Sequence, residues 1–105
     1  MIVVVGRVQT DADRRGALIQ IGQAVAKASR QEAGCISYRL YQDTERENEF
    51  VFVEEWESDS ALQRHFATPH IREFMQAIPE TIIARPDVKF HTILSTMDLA
   101  EVSST

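Results

Sequence analysis

The segment between Glu49 and Pro69 brings the only tryptophan of the chain close to a histidine. It reads EFVFVEEWESDSALQRHFATP, an alternating apolar strand that ends at Trp56, followed by a short helix that carries His65 beside Phe66. An apolar pocket with one or two well-placed polar groups is the usual form of a small-molecule site. Because an imidazole titrates near neutral pH, His65 is suited to proton transfer. The sequence therefore predicts a site for an organic molecule at this strand-to-helix connection.

Seven aromatic or protonatable side chains could surround such a molecule. Each has a structural alternative: a histidine on an apolar helix face can be a hydrogen-bonded core residue, and buried aromatic rings often serve only packing. The two polar residues just after Pro69 can simply face solvent or the mouth of a pocket. The candidates are Tyr38, Trp56, His65, Phe66, His70, Arg72 and Phe74.

Glu54 is an acidic residue within the same apolar strand. A charge at such a position usually needs a partner, and the sequence offers Arg39 or Arg7 across the sheet. We interpret Glu54 as structural rather than catalytic.

Other kinds of site have little support in the sequence. No glycine-rich turn that could cradle a phosphate joins a strand to a helix, which disfavours nucleotide cofactors. The histidines His65, His70 and His91 do not form an i,i+4 pair, and no acidic residue completes a metal-binding spacing, so we expect no metal. No nucleophile elbow is present.

Composition narrows the class of protein further. The net charge is −5 and the 11 basic residues are scattered, so nucleic acid is not expected as a partner. No apolar run approaches the ~20 residues that span a bilayer, and MIVVVGRV lacks the flanks of a signal peptide. We expect a soluble, cytoplasmic protein with no membrane partner. The single cysteine, Cys35, lies among strand residues and is expected to be a buried structural thiol.

The predicted elements follow the order strand, helix, strand, strand, helix, strand. The predicted strands cover Ile2–Val8, Cys35–Asp43, Glu49–Trp56 and Asp87–Thr96, and the first helix begins near Asp11 and is stopped by Gly34. Ser58 caps a helix, Thr68 and Pro69 begin a further helical piece, and Pro79 ends or bends it.

This order predicts one domain over residues 1–105 with an α+β, ferredoxin-like split βαβ fold, in which helices pack on one face of an antiparallel sheet. Residues 96–105 are expected to be a loose tail. The third strand is apolar on both faces, which predicts that a second subunit covers the face opposite the helices.

Three segments in this order resemble the antibiotic biosynthesis monooxygenase family: GCISYRLYQD, EFVFVEEWES and ALQRHFATPHIREF. The resemblance runs from Ile2 to Thr96 and includes Gly34, Tyr38, Glu54, Trp56, His65, Pro69 and His70. It implies a homodimer of the dimeric α/β-barrel type with one pocket per subunit between helices and sheet.

The resemblance also implies a function. Some members of the family oxidise quinols or polycyclic phenols with O2 and no prosthetic group, others degrade haem, and others isomerise small metabolites. If the protein oxidises quinols or phenols, the resemblance implies that His65 transfers a proton and that Tyr38 or Arg72 stabilises an oxyanion. The residues that would contact the aromatic substrate are Trp56, Phe66, His70 and Phe74.

Two other functions stay open from the sequence. Arg72 and His70 at a helix start could bind the anionic group of an isomerase substrate, or the protein could bind a ligand without catalysis. Haem degradation is disfavoured because haem-degrading members place an asparagine late in the first strand, where this chain has Gly6 and Arg7.

Overall fold

The computed structural model describes residues 1–104 and has the predicted order of elements, with further short helices. The strands are β1 (Ile2–Gln9), β2 (Cys35–Gln42), β3 (Glu49–Trp56) and β4 (Asp87–Thr92). The helices are α1 (Arg15–Ser29), α2 (Asp59–Phe66), α3 (Pro69–Ala77) and α4 (Leu99–Ser103), and a 3₁₀ turn (Ile78–Thr81) follows α3.

The four strands form one antiparallel sheet in the order β2-β3-β1-β4. The register places Ile2 opposite Trp56 between β1 and β3, and Tyr38 opposite Glu54 between β2 and β3. Helices α1, α2 and α3 pack on one face of the sheet, which confirms the predicted α+β, ferredoxin-like fold.

The core lies between the sheet and these helices, and the alternation of each strand decides which residues enter it. Val4 of β1 and Trp56 of β3 point toward the helices and are buried, as is Leu18 of α1. Full burial of an apolar side chain of this size contributes about 1.5–3 kcal/mol, so burial on this face stabilises the fold.

The first helix is shorter than predicted at both ends. The backbone N–H of Arg14 donates to the Asp11 carboxylate at 3.0 Å, which forms a turn, and the helix begins only at Arg15. It ends at Ser29, so the prediction that Gly34 stops it was wrong. Gly34 instead lies at the end of the following loop with φ +86°, just before β2.

The two helix starts that position His65 are as predicted. Oγ of Ser58 accepts the backbone N–H of Ala61 at the start of α2, and Oγ1 of Thr68 accepts the N–H of Ile71 at the start of α3, with Pro69 in the first turn. These caps satisfy amide groups that the helix itself leaves free. The second cap separates α2, which ends at Phe66, from α3, which begins at Pro69.

The C-terminal segment differs from its prediction. Strand β4 ends at Thr92, four residues early, and the segment expected to be loose contains α4, whose start is capped by the Asp98 side chain. Leu94, Met97 and Leu99 are 99%, 65% and 81% exposed in this segment. Thr105 lies outside the described residues.

The outer face of the sheet, opposite the helices, carries apolar side chains. Val3 and Val5 of β1 and Val51 and Val53 of β3 point to this side and are half-buried by their neighbours in the sheet alone. Apolar residues on both faces are typical of a sheet that is covered on both sides.

Replacing Gly34 by Ala is expected to destabilise the fold by at least about 1–2 kcal/mol, the cost of a left-handed backbone for a residue with a Cβ. The new Cβ would also lie 2.5 Å from Cβ of Ala61. Urea unfolding measures the loss. Gly16→Ala is the control because a Cβ there meets nothing within 4 Å; equal stability of the two variants would contradict the prediction.

Within residues 1–104, no helix is long and apolar enough to cross a membrane.

Candidate functional site

A cavity of about 340 Å³ lies between the inner face of the sheet and helices α2 and α3. Its volume is at the lower end of the range of about 300–1,000 Å³ that is typical of ligand pockets. The lining is almost entirely apolar, with three titratable groups, Tyr38, Glu54 and His65. The apolar lining comes from Val4, Gly6, Val8, Phe52, Phe66, Ile71, Phe74, Met75, Ile78, Pro86, Val88 and Phe90.

His65 is held by α2 with its two ring nitrogens in different surroundings. Nδ1 lies 2.7 Å from Oε2 of Glu32, and because a carboxylate accepts, Nδ1 carries the proton. Nε2 has no hydrogen-bond partner within residues 1–104. Nε2 nevertheless keeps some accessible surface, because the only fully buried side-chain polar atom without a hydrogen-bond partner in that range is Oγ of Ser29. The 1% of His65 that stays exposed therefore belongs to the wall of the cavity.

Glu54 also faces the cavity, and its partner differs from the one predicted. Its Oε1 accepts the indole N–H of Trp56 at 2.9 Å. The predicted pairing with Arg39 or Arg7 was wrong, because both arginines are exposed and lie opposite Val53 and Val51, whose side chains point to the outer face of the sheet. Adjacent strand residues point to opposite faces, so Glu54 faces the helices.

Burial sets the protonation of the three titratable groups that line the cavity. It raises the pKa of Glu54 to about 7, although hydrogen bonds from Trp56 and Tyr38 act in the other direction. Burial, together with the nearby Glu54, raises the pKa of Tyr38 well above its usual range. Burial lowers the pKa of His65, and the contact with Glu32 only partly opposes this. At neutral pH, Tyr38 is thus a neutral hydroxyl and His65 a neutral imidazole.

Trp56 is fully buried and does not line the cavity. Its indole N–H holds Glu54, and its ring lies 4.6 Å from the His65 ring, measured between centroids. It supports both groups from behind.

The predicted aromatic contacts Phe66 and Phe74 both line the cavity. Phe66 is 41% exposed and its ring lies 6.2 Å from that of Phe90 on β4, so these two rings stand where the cavity meets solvent. Phe74 packs edge-on against Phe52 with centroids 5.3 Å apart. Offset and edge-on ring contacts of this kind suit a flat aromatic guest.

His70 and Arg72 do not line this cavity. Arg72 is exposed on α3, whereas His70 is half-buried and borders a separate groove between α1 and α3. The Nε2–H of His70 donates to Oε2 of Glu32 at 2.7 Å.

Glu32 is the residue of the site that the sequence analysis missed. It lies in the loop between α1 and β2, 33 positions from His65, and its Oε2 accepts hydrogen bonds from both His65 and His70. Two imidazoles and a carboxylate are metal-ligand types, and their atoms lie within 4.8 Å of one another. The two 2.7 Å contacts, however, have the length of charge-assisted hydrogen bonds, and we assign the three as a hydrogen-bonded cluster.

Two further features of the molecule are less suited to chemistry. A hollow of about 410 Å³ at another edge of the sheet has a mixed polar lining that includes Arg7, Asp43 and Arg85 and no histidine. Cys35 is half-buried, and burial raises its pKa to about 11, so the thiol stays protonated.

The chain belongs to the antibiotic biosynthesis monooxygenase family, whose model matches residues 1–77. Over 98 residues it is 36% identical to the "Uncharacterized protein sll1783" of Synechocystis sp., covering 93% of this chain and 67% of that protein. It is 31% identical to the "Putative monooxygenase Rv0793" of Mycobacterium tuberculosis over 99 residues, 94% of each chain. The "Putative monooxygenase YcnE" of Bacillus subtilis is 30% identical over 88 residues, 84% of this chain and 93% of that one.

Solved structures agree with this assignment. The structure of Rv0793 matches with a TM-score of 0.85 at 28% identity over 92% of this chain and 98% of that one. A structure from Deinococcus radiodurans described as a "putative antibiotic biosynthesis monooxygenase" matches with a TM-score of 0.88 at 22% identity, over 94% and 98% of the two chains, and shows the shared fold. The resemblance seen in the sequence is confirmed, and family membership supports a monooxygenase-like role.

Proposed function

We propose that this protein is a cofactor-independent monooxygenase that oxidises a quinol-like or polycyclic phenolic molecule with O2. One observation carries the proposal: the unpartnered Nε2 of a neutral His65 opens into an apolar cavity lined by aliphatic side chains and several aromatic rings. A proton acceptor in an apolar space with aromatic rings in its lining suits a substrate that becomes electron-rich when it loses a proton.

In this mechanism the substrate supplies the electrons for the reaction with oxygen. His65 accepts a proton at Nε2 from the bound phenol, the resulting anion transfers an electron to O2, and the two radicals combine into a carbon-bound peroxide. His65 returns its proton to the outer peroxide oxygen, and the O–O bond breaks as the same carbon loses its hydrogen, which leaves a carbonyl group on the substrate and releases water. Overall, the substrate gains one oxygen atom and loses two hydrogen atoms, which leave with the second oxygen atom as water. The protein supplies the base, the orientation of the ring and the exclusion of bulk water.

Tyr38 is the residue that we place at the developing oxyanion. Its hydroxyl stays protonated because burial raises its pKa, and it shares the cavity with His65, with their ring centroids 5.6 Å apart. In this role its O–H turns from Glu54, to which it donates in this structure, to the oxyanion. A neutral donor in a buried site stabilises a negative charge more strongly than it would in water. Arg72, the alternative proposed from the sequence, is exposed and outside the cavity, so we assign it no contact with the substrate.

Oxygen uptake tests the proposal directly. The wild-type protein is mixed with menadiol and related hydroquinones in an oxygen electrode, and the rate without protein is subtracted. We expect protein-dependent uptake that catalase does not change, because the second oxygen atom becomes water. Oxygen released on adding catalase would identify a peroxide-forming oxidase. Binding without uptake would contradict a monooxygenase and favour a ligand-binding protein, and conversion without uptake would favour an isomerase.

We further propose that the protein is a homodimer in which a second copy covers the outer face of the sheet. The half-buried Val3, Val5, Val51 and Val53 on that face support this, because strands with apolar residues on both faces are usually covered on both. The cytoplasmic location proposed from the sequence also stays a prediction.

Replacing Val53 by Glu is expected to separate this dimer. A two-fold interface would contain the new carboxylate twice, directly opposite Arg39 on β2. Even when it is paired with Arg39, removing these charges from water costs enough to weaken association at least about 100-fold. Light scattering after size-exclusion chromatography measures the mass. Gln63→Glu adds the same charge on the exposed surface of α2 and should leave the mass unchanged. A monomeric wild-type protein, or an unchanged V53E dimer, would contradict the proposal.

A further inference from the structure

We propose that Glu32 is the positioning residue of this site: it fixes the tautomer of His65 and stabilises the imidazolium that forms when a guest in the cavity gives up its proton. The identity of that guest rests on the proposed function above. The orientation of the imidazole does not.

The geometry of the two hydrogen bonds carries the inference. Oε2 of Glu32 lies 2.7 Å from Nδ1 of His65, so the proton of the neutral ring resides on Nδ1. Nε2 is then left with a free lone pair on a ring that lines the cavity. Without this acceptor either tautomer could form, and the Nε2–H tautomer cannot act as a base toward the cavity. A carboxylate behind a catalytic imidazole has this same double role in hydrolytic triads.

Glu32 is well placed to act electrostatically. Its side chain is 13% exposed and that of His65 is 1% exposed, so the pair is shielded from solvent. When His65 takes up a proton, the imidazolium and the Glu32 carboxylate form an ion pair that is shielded from water. This attraction favours the charged form of His65. The contact with Glu32 accordingly opposes the lowering of the His65 pKa by burial.

His70 acts on the same carboxylate from the other side. Its Nε2–H donates to the oxygen that His65 uses, and its ring centroid lies 6.0 Å from that of His65. A positive charge on His70 therefore disfavours a second one on His65. The other titratable groups facing His65 are Tyr38 on β2, with its ring 5.6 Å away, and Glu54 on β3, which also lines the cavity.

Two substitutions should move the pKa of His65 in opposite directions. Glu32→Gln removes the charge but keeps an oxygen that can accept from Nδ1, so the tautomer should persist while the pKa falls by about one to three units. His70→Gln keeps a donor to Glu32 and removes the nearby titratable ring, so the pKa should rise. The backbone bonds of the loop, from N–H of Glu32 to O of Ser29 and from N–H of Cys35 to O of Glu32, do not involve either side chain.

¹⁵N NMR of histidine-labelled protein, titrated from pH 4 to 9, measures both the tautomer and the pKa without any turnover. We expect the Nδ1–H form of His65 in the wild type and in E32Q, and pKa changes of opposite sign in E32Q and H70Q. An Nε2–H tautomer in the wild type, or a His65 pKa that is unchanged in E32Q, would overturn the inference.

The NMR experiment does not depend on oxygen uptake, so it tests the role of Glu32 even if the monooxygenase proposal fails. Where the wild type turns over substrate, E32Q is expected to lower kcat about 10- to 100-fold with little change in KM, since Glu32 lies outside the cavity lining. E32Q with wild-type kcat would contradict a role for Glu32 in the chemistry.

Discussion

Replacing His65 by Ala is expected to lower the rate of O2-dependent quinol oxidation about 100-fold, because the reaction would lose its proton acceptor. His65 is the side chain whose free nitrogen opens into the cavity while the other nitrogen is held by Glu32. Initial rates in the oxygen electrode, at saturating and at limiting substrate, separate an effect on kcat from one on binding.

The alanine variant also removes a buried ring that packs against Trp56, so its folding must be checked by circular dichroism and thermal unfolding. His65→Gln is the matched second variant, since its amide N–H can still donate to Glu32 while no basic nitrogen remains. Gln63→Ala shortens an exposed side chain on the same helix and should turn over at the wild-type rate. Wild-type turnover by a folded H65Q would remove His65 from the chemistry.

Replacing Glu54 by Gln is expected to stabilise the protein at alkaline pH. The folded-state pKa of Glu54 is raised to about 7 from an ordinary value of 4.5, so the folded protein holds a proton that the unfolded chain releases between these values. Stability therefore falls as pH rises through this window, and above pH 7 the buried charge costs about 3 kcal/mol. Gln has no charge to lose.

Urea unfolding at pH 5 and pH 8.5 measures the effect. The variant and the wild type should have similar stability at pH 5, since Gln can still accept the Trp56 N–H, and the variant should be more stable by up to about 3 kcal/mol at pH 8.5. Changes of stability with pH that arise from other groups, such as His65, occur in both proteins and cancel when the two are compared. Stability differences that are equal at the two pH values would contradict the raised pKa.

The fold was predictable because it depends on local patterns that the sequence displays. The alternation of β3 placed Phe52 and Trp56 on one face, and the caps Ser58 and Thr68 marked the two helix starts that lie on either side of His65. Gly34 was misleading, since its left-handed conformation serves a loop rather than a helix end. The end of β4 and the helix α4 were also not predicted.

The site was only partly predictable because its polar contacts join distant parts of the chain. Tyr38, His65, Phe66 and Phe74 line one cavity, as a site near the strand-to-helix connection requires. Glu32 carried no local signal, since an acidic residue in a polar loop is normally exposed, and only packing of α1 and α3 brings it to His65 and His70.

Glu54 shows why face assignment alone does not identify a partner. Its inward position was evident from the alternation of β3. Residues directly opposite each other on neighbouring strands point to the same face, and Arg39 lies opposite Val53, which points away from the helices. The carboxylate of Glu54 instead accepts a hydrogen bond from the indole N–H of Trp56, two residues along the same strand. The catalytic and binding roles of all these residues stay proposals.

The most direct test of the whole account is a crystal structure of the wild-type protein soaked with menadione, the oxidised form of the assay substrate. We expect the flat ring within the cavity between Phe52, Phe66 and Phe74, with an oxygen atom within hydrogen-bond distance of Nε2 of His65. A cavity that stays empty at saturating ligand, or a ligand bound only in the groove between α1 and α3, would contradict the proposed site.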